Sequence, residues 1–241
     1  MIRTILHRVC TLIIICCAGA LYAETRHFRC KAVDPTGGAV IFTCSGSELR
    51  SGGKLVSAQI RYLLPNGKLF ARETINYRKD RFSPDLAFID DCDGRREMIE
   101  KTVSGFNLLF QDSAKGTPDA HRLKHNDGAI VALTVPGLPP FIEHNWKAFT
   151  AGEKIVFFCV FPLQRKLVRL RAQLEKTITF RKQPALLMRM QPENFVYRWF
   201  SDPVYLTFLV KSKRLVRYQG LHYVRDPRTG GGSIVDLTFV W

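Results

Sequence analysis

The stretch VPGLPPFIEHNWKAFTAGEKIVFFCVFP, Val135 to Pro162, decides how this chain must fold. Its prolines suit the opening of a helix, because proline has no N–H to lose in the first turn and its φ is already helical. Ile142, Trp146 and Phe149 then recur at i, i+4 and i+7 with Phe141 beside them, so one face is aromatic and must rest on something. Gly152 is the stop. The run that follows, KIVFFCVFPL, has no polar alternation, as a strand covered on both faces requires. The stretch therefore predicts one short amphipathic helix beside a strand buried from two sides.

Outward from it, nearly everything reads as strand. HFRCKAV and AVIFTCS flank DPTGG, a hairpin signature. The Ser/Gly-rich segment from Ser45 to Lys54 predicts a loop. Val56, Ala58, Ile60, Tyr62 and Leu64 alternate with polar residues, and Pro65-Asn66-Gly67 turns the chain into a partner strand from Leu69 to Tyr77. Short strands follow, broken by Ser-Pro, Asp-Gly and Ser-Gly, and the polar segment from Ala114 to Gly128 predicts an exposed hairpin or long loop. Past the central stretch, Val168, Leu170, Ala172 and Leu174 share one strand face and Arg169 and Arg171 the other. Further strands are expected at Thr177–Arg181, Leu186–Met190 and Phe195–Phe200. A hairpin turning near Ser212 comes next, with Phe208 inward on its first arm, and IVDLTFVW closes the chain. Many short strands and one helix predict a mainly β fold: a strongly curved antiparallel sheet or partly open barrel, with the helix as plug or lid.

Arg3 and Arg8, an apolar run from Val9 to Ala18 and the small residue Ala23 read as a secretory signal peptide over residues 1–23, cleaved near Ala23. The run is too short to span a bilayer comfortably. The expected product is a single β-rich periplasmic domain, residues 24–241. The formal charge of +15 falls to about +13 without the leader, a field that favours anionic partners such as lipid head groups or acidic glycans.

Three of the seven cysteines lie in the leader, and Cys30, Cys44, Cys92 and Cys159 remain. An even number in an oxidising compartment predicts disulfides. Cys30 and Cys44 flank the DPTGG turn and can face each other across it, so the preferred pairing is Cys30 with Cys44 and Cys92 with Cys159. The competing reading keeps Cys159 as a buried thiol in VFFCVF.

The candidate reactive motifs are weak. Asp90-Asp91-Cys92-Asp93-Gly94 resembles a calcium loop whose first ligand would be Ile89, and an ordinary Asp-Gly turn explains it better. His121 and His125 lack the third ligand a catalytic zinc needs. Glu143 and His144 have no positioned nucleophile beside them. No G-x-S-x-G is present, and Gly230-Gly231-Gly232 leads into no helix. Basic and aromatic residues interleave in YRWF and KSKRLVRYQG, but an exported chain is not expected to meet nucleic acid.

Taken together, RYLLPNGKLFARETINY, FSPDLAFIDDCDGRRE, FIEHNWKAFTAGEKIVFFCVFP and DPVYLTFLVKSKRLVRYQGLHYVRD resemble an uncharacterised family of exported bacterial β-rich proteins, over most of the mature chain. The order of elements is also similar in architecture to periplasmic half-barrels that carry lipids or lipoproteins. That likeness implies an apolar cavity inside the curved sheet.

The expectation is a non-enzymatic binding protein for an apolar or amphipathic, lipid-like envelope ligand, with no cofactor or metal and with peripheral membrane contact. Trp146, Phe149, Phe157, Leu170 and Phe208 are the expected lining, and Arg169 and Arg171 the charged rim. The alternative is an assembly factor of the envelope that docks another protein through a basic face or a sheet edge.

Overall fold

A computed structural model describes residues 23–125, 128, 130–199 and 201–241; the expected leader up to residue 22 lies outside them. The first half is a run of antiparallel neighbours: β1 (Ala23–Val33), β2 (Val40–Ser51), β3 (Lys54–Leu63), β4 (Leu69–Asn76), β5 (Asp85–Asp90), β6 (Arg96–Thr102), β7 (Gly105–Gln111) and β8 (Asp119–Lys124). A two-residue strand, β9 (Ala132–Leu133), then leads through a 3-10 turn at Val135–Gly137 into α1 (Leu138–His144) and α2 (Trp146–Thr150). The second half contains β10 (Ile155–Phe161), β11 (Lys166–Phe180), β12 (Gln183–Pro192), α3 (Phe195–Trp199), β13 (Val204–Leu209), β14 (Leu215–His222) and β15 (Ser233–Val240).

All fifteen strands belong to one sheet, in which β15 returns to pair with β1 and joins the two halves. Among the described residues only β9 with β10 is parallel. The sheet ends at β8 on one side and β9 on the other.

The sheet rolls up, and its two edges overlap without pairing. On β10, Phe157 and Cys159 face the cluster under the helices. Val160 and Phe158 on the other face pack with Leu86, Ile99, Phe106, Leu108 and Leu123, which come from β5 to β8. The β9–β10 edge is thus tucked inside the β8 edge, which is why KIVFFCVFPL is apolar throughout. Polar contacts hold the overlap in place: Ser83 Oγ donates to the Ala132 carbonyl, the Thr134 N–H donates to the Phe82 carbonyl at 3.2 Å, and Arg165 pairs with Asp119. Gly137 is required here, since a Cβ would stand 1.7 Å from the Phe82 carbonyl oxygen.

The helix is one amphipathic element broken at Asn145, whose side-chain amide donates to the Phe141 carbonyl at 2.9 Å. Ile142 and Phe149 are fully buried and Trp146 is partly so, all in the same cluster with Phe157, Leu170 and Phe208. The element plugs one part of the roll.

Three expectations need correction. The segment from Ser45 to Lys54 is not a loop: β2 runs to Ser51, and Gly52-Gly53, both at positive φ, make the turn. Gly46 sits opposite Phe28 in that pair, and the Phe28 ring lies where a Cβ would be, 2.2 Å away. Its glycine serves close packing within a strand. Thr177–Arg181 is no separate strand but the end of β11, which passes a bulge between Leu174 and Lys176 and turns at Arg181-Lys182. The stretch from Phe195, expected as a strand, forms α3, opened by Asn194, whose Oδ1 accepts from the Val196 N–H at 2.8 Å.

Candidate ligand-binding cavity

A cavity of about 810 Å³ lies inside the roll, between the helical plug and the inner faces of β1 to β4 and β13 to β15. That is within the usual range for small-molecule sites. Its walls follow from strand alternation. Arg26, Phe28 and Cys30 on β1 point into it in turn, as do Ala58, Ile60 and Tyr62 on β3 and Trp241, Phe239 and Leu237 at the C-terminus. Along β3, Lys54 and Tyr62 bracket a depth of ~26 Å at the ordinary rise per strand residue.

The open end is cationic. Arg26, Arg50, Lys54, Arg81, Lys213 and Arg214 line it, against Glu48 and Glu143. Arg26 is paired with Glu24 and Arg50 with Glu48. Lys54, Arg81, Lys213 and Arg214 have no ion pair among the described residues. Three of these four lie over aromatic rings: Arg81 over Phe82 at 4.5 Å, Lys213 over Trp146 at 5.8 Å and Arg214 over Trp241 at 5.1 Å. Such stacking fixes their positions while leaving their charges open to an anion.

The inner end is polar at one point. Glu73 on β4 is buried, and its Oε2 accepts hydrogen bonds from Tyr62 at 2.7 Å and Tyr223 at 2.5 Å. The two hydroxyls are 3.0 Å apart. Burial pushes the Glu73 carboxyl up to about 7, although both tyrosine hydrogen bonds oppose the shift. His222 completes this end, stacked on Tyr223 at 4.6 Å. Burial pulls its pKa down to about 4, so it is neutral, and its Nδ1 accepts from the Val224 N–H at 3.2 Å. Phe42, Phe70 and Phe88 close the floor behind them in edge-on or tilted contacts with Tyr62.

Of the residues expected to line a site, Phe208 alone does so. Phe149, Phe157 and Leu170 are buried in the packed cluster beneath the plug, and Trp146 contributes through the cation stacked on it. Arg169 and Arg171 point away from that cluster. Arg169 is exposed, and Arg171 lies in a shallow depression with Arg189 and Arg198, 3.8 Å from Glu193. The rim expected on β11 is thus on the outer surface. The residues the sequence reading missed are Tyr62, Glu73, His222 and Tyr223.

Cys30 and Cys44 face each other in register and are joined by a disulfide that lines the cavity. Cys92 and Cys159 are not bonded to each other. Cys92 is exposed in the turn after β5, whereas Cys159 is buried on β10, its thiol pushed up to about 12 by burial. The acidic cluster forms an Asx turn, with Asp90 accepting from the Cys92 N–H at 2.9 Å and Asp93 from the Arg95 N–H at 2.8 Å. His121 is exposed on β8, and the His125 ring rests on Phe158. No group of three or more potential metal ligands occurs among the described residues. No described helix is long and apolar enough to cross a membrane.

These features define a class: a β-barrel-like domain whose sheet is rolled, open along its overlap and plugged by one helical element. In fold the chain is similar to the crystal structure of a β-barrel-like protein of the domain of unknown function DUF1849 from Brucella abortus. The TM-score is 0.51 at 8% identity, over 91% of this chain and 96% of that one. At that identity the similarity is one of fold. No protein-family model and no curated protein matches the sequence.

Proposed function

We propose that this protein is a non-enzymatic binding protein of the cell envelope for an anionic amphiphile, held with its head among the mouth cations and its apolar chain in the cavity. The observation that carries this reading is the pairing of a partly enclosed cavity, whose wall between mouth and floor is mainly aliphatic and aromatic, with four cations at its mouth that have no ion pair among the described residues. Apolar chains gain by leaving water in proportion to the area buried, and the head group meets positive charge already held on aromatic faces. The buried part of the wall favours binding over turnover. Cys30 and Cys44 are consumed in a disulfide, and the lysines and serine of the wall lie at its mouth, so among the described residues its buried part carries no free thiol, amine or serine hydroxyl.

The alternative, strand addition at a sheet edge, is less well supported. β8 at one edge exposes Asp119, His121, Arg122 and Lys124, the kind of charged surface that blunts an edge against pairing.

Mass spectrometry of lipid extracted from protein purified out of a bacterial envelope tests the proposal. A co-purifying anionic amphiphile, displaced by added long-chain alkanoate, is expected. Protein that comes out empty and takes up no alkanoate on titration overturns it.

A further inference from the structure

Resting on that reading, we infer that the Glu73–Tyr62–Tyr223 cluster is a second recognition point, selecting amphiphiles whose far end carries a hydroxyl group. The argument begins with hydrogen bonds that the protein does not complete. Both tyrosines spend their protons toward the same carboxylate oxygen, Oε2. Glu73 Oε1 is buried and has no hydrogen-bond partner. A buried carboxylate oxygen without a partner is costly, and such positions are rare in folded proteins. Glu73, Tyr62 and Tyr223 all belong to the cavity wall, so a ligand end that reaches the floor meets this cluster, and it fills the position at Oε1, which is covered in this structure, by displacing what lies over it.

The chemistry of the missing group follows from the two forms of the carboxyl. With its pKa near 7, Glu73 is present near neutrality both protonated and ionised. Protonated on Oε1 it needs an acceptor; ionised it needs a donor. A hydroxyl supplies either, a ketone only the acceptor, and a methyl terminus neither. The cationic mouth and this floor stand at opposite ends of the cavity, so the ligand class is a long apolar body with an anion at one end and a hydroxyl at the other.

The test is a titration of purified protein with n-alkanoates from decanoate to octadecanoate, their ω-hydroxy counterparts and the matching chains ending in a methyl ketone. The ω-hydroxy acid of the best-fitting length is expected to bind about tenfold more tightly than the plain acid at both pH 5.5 and pH 8.5. The ketone-ended acid should share that advantage at pH 5.5 and lose it at pH 8.5. Glu73→Gln, whose amide oxygen can take both tyrosine bonds while its NH2 group donates, should keep the hydroxyl preference, and Glu73→Leu/Tyr62→Phe/Tyr223→Phe, which removes every polar group of the cluster, should abolish it. Equal binding of plain and hydroxylated acids by the unmodified protein overturns this inference and leaves the cavity reading standing. Failure of every acid to bind overturns both. A preference that survives the triple change takes the role away from this cluster.

Discussion

Tyr223 donates its hydroxyl proton to Glu73 Oε2 at 2.5 Å, although 150 positions separate the two residues. The contact exists because β15 returns to β1 and brings the segment after β14 over the inner face of β4. It joins the two halves of the roll at the floor of the cavity, around a carboxyl that burial, and not this bond, pushes up.

Burial raises the Glu73 carboxyl from 4.5 to about 7 in the folded protein. A group whose folded pKa is raised favours the folded state in its protonated form. Its contribution is therefore fully present below about pH 4.5 and is lost as pH rises through about 7. The loss is on the order of 3 kcal/mol for a shift of this size. Urea denaturation of the unmodified protein and Glu73→Gln at pH 5 and pH 8 should show the gap in stability closing or reversing at pH 8. A gap that does not change with pH would mean that Glu73 titrates normally.

Phe149 has no exposure, whereas Trp146, three positions earlier, is only partly covered and carries Lys213 on its face. Phe149→Ala should therefore cost about 3–5 kcal/mol, as truncation of a core aromatic does, and Trp146→Ala distinctly less. Chemical denaturation measures both. Equal losses would mean that the plug does not rest on the sheet through Phe149.

The cysteines separate by environment. Among the described residues two thiols are free, Cys92 exposed and Cys159 buried, and the Cys30–Cys44 bond closes a sequence separation of 14. Iodoacetamide should label Cys92 in the native protein, and Cys159 only after unfolding. Replacing Cys30 and Cys44 together by serine should lower stability by about 3 kcal/mol, the size expected for a loop of this length. Labelling of both free thiols at the same rate in native protein would place the β10 edge outside the roll.

Hairpin chemistry and alternation made most of the sheet legible. DPTGG and Pro65-Asn66-Gly67 turn where their residue types require, and the apolar run of β10 signals cover on both faces. Ser45 to Lys54 misleads because composition alone cannot tell a loop from a strand whose glycine makes room for a neighbouring ring. The site was harder to read. Clusters of large apolar residues mark where packing is complete, and a cavity lies where it is not. One signal was available: Glu73 occupies the inward parity of FARETINY with Ala71, Ile75 and Tyr77, where a charge is out of place. Its partners Tyr62 and Tyr223 depend on the β1–β15 closure, which no local pattern announces.

The mouth cations offer a test independent of the floor. Lys213 and Arg214 sit in the β13–β14 turn, outside the packed cluster under the plug, so Lys213→Glu/Arg214→Glu should fold. Each change replaces attraction for an anionic head with repulsion across a partly exposed surface, where screening by salt is strong. The double variant should bind a long-chain alkanoate at least about tenfold more weakly at low ionic strength, with the deficit shrinking at high salt. Binding of the neutral alkanol of the same length should be unchanged, because its affinity comes from the apolar wall alone. Equal losses for acid and alkanol would trace the effect to a damaged cavity, and no loss for either would take the head group away from this end of the roll.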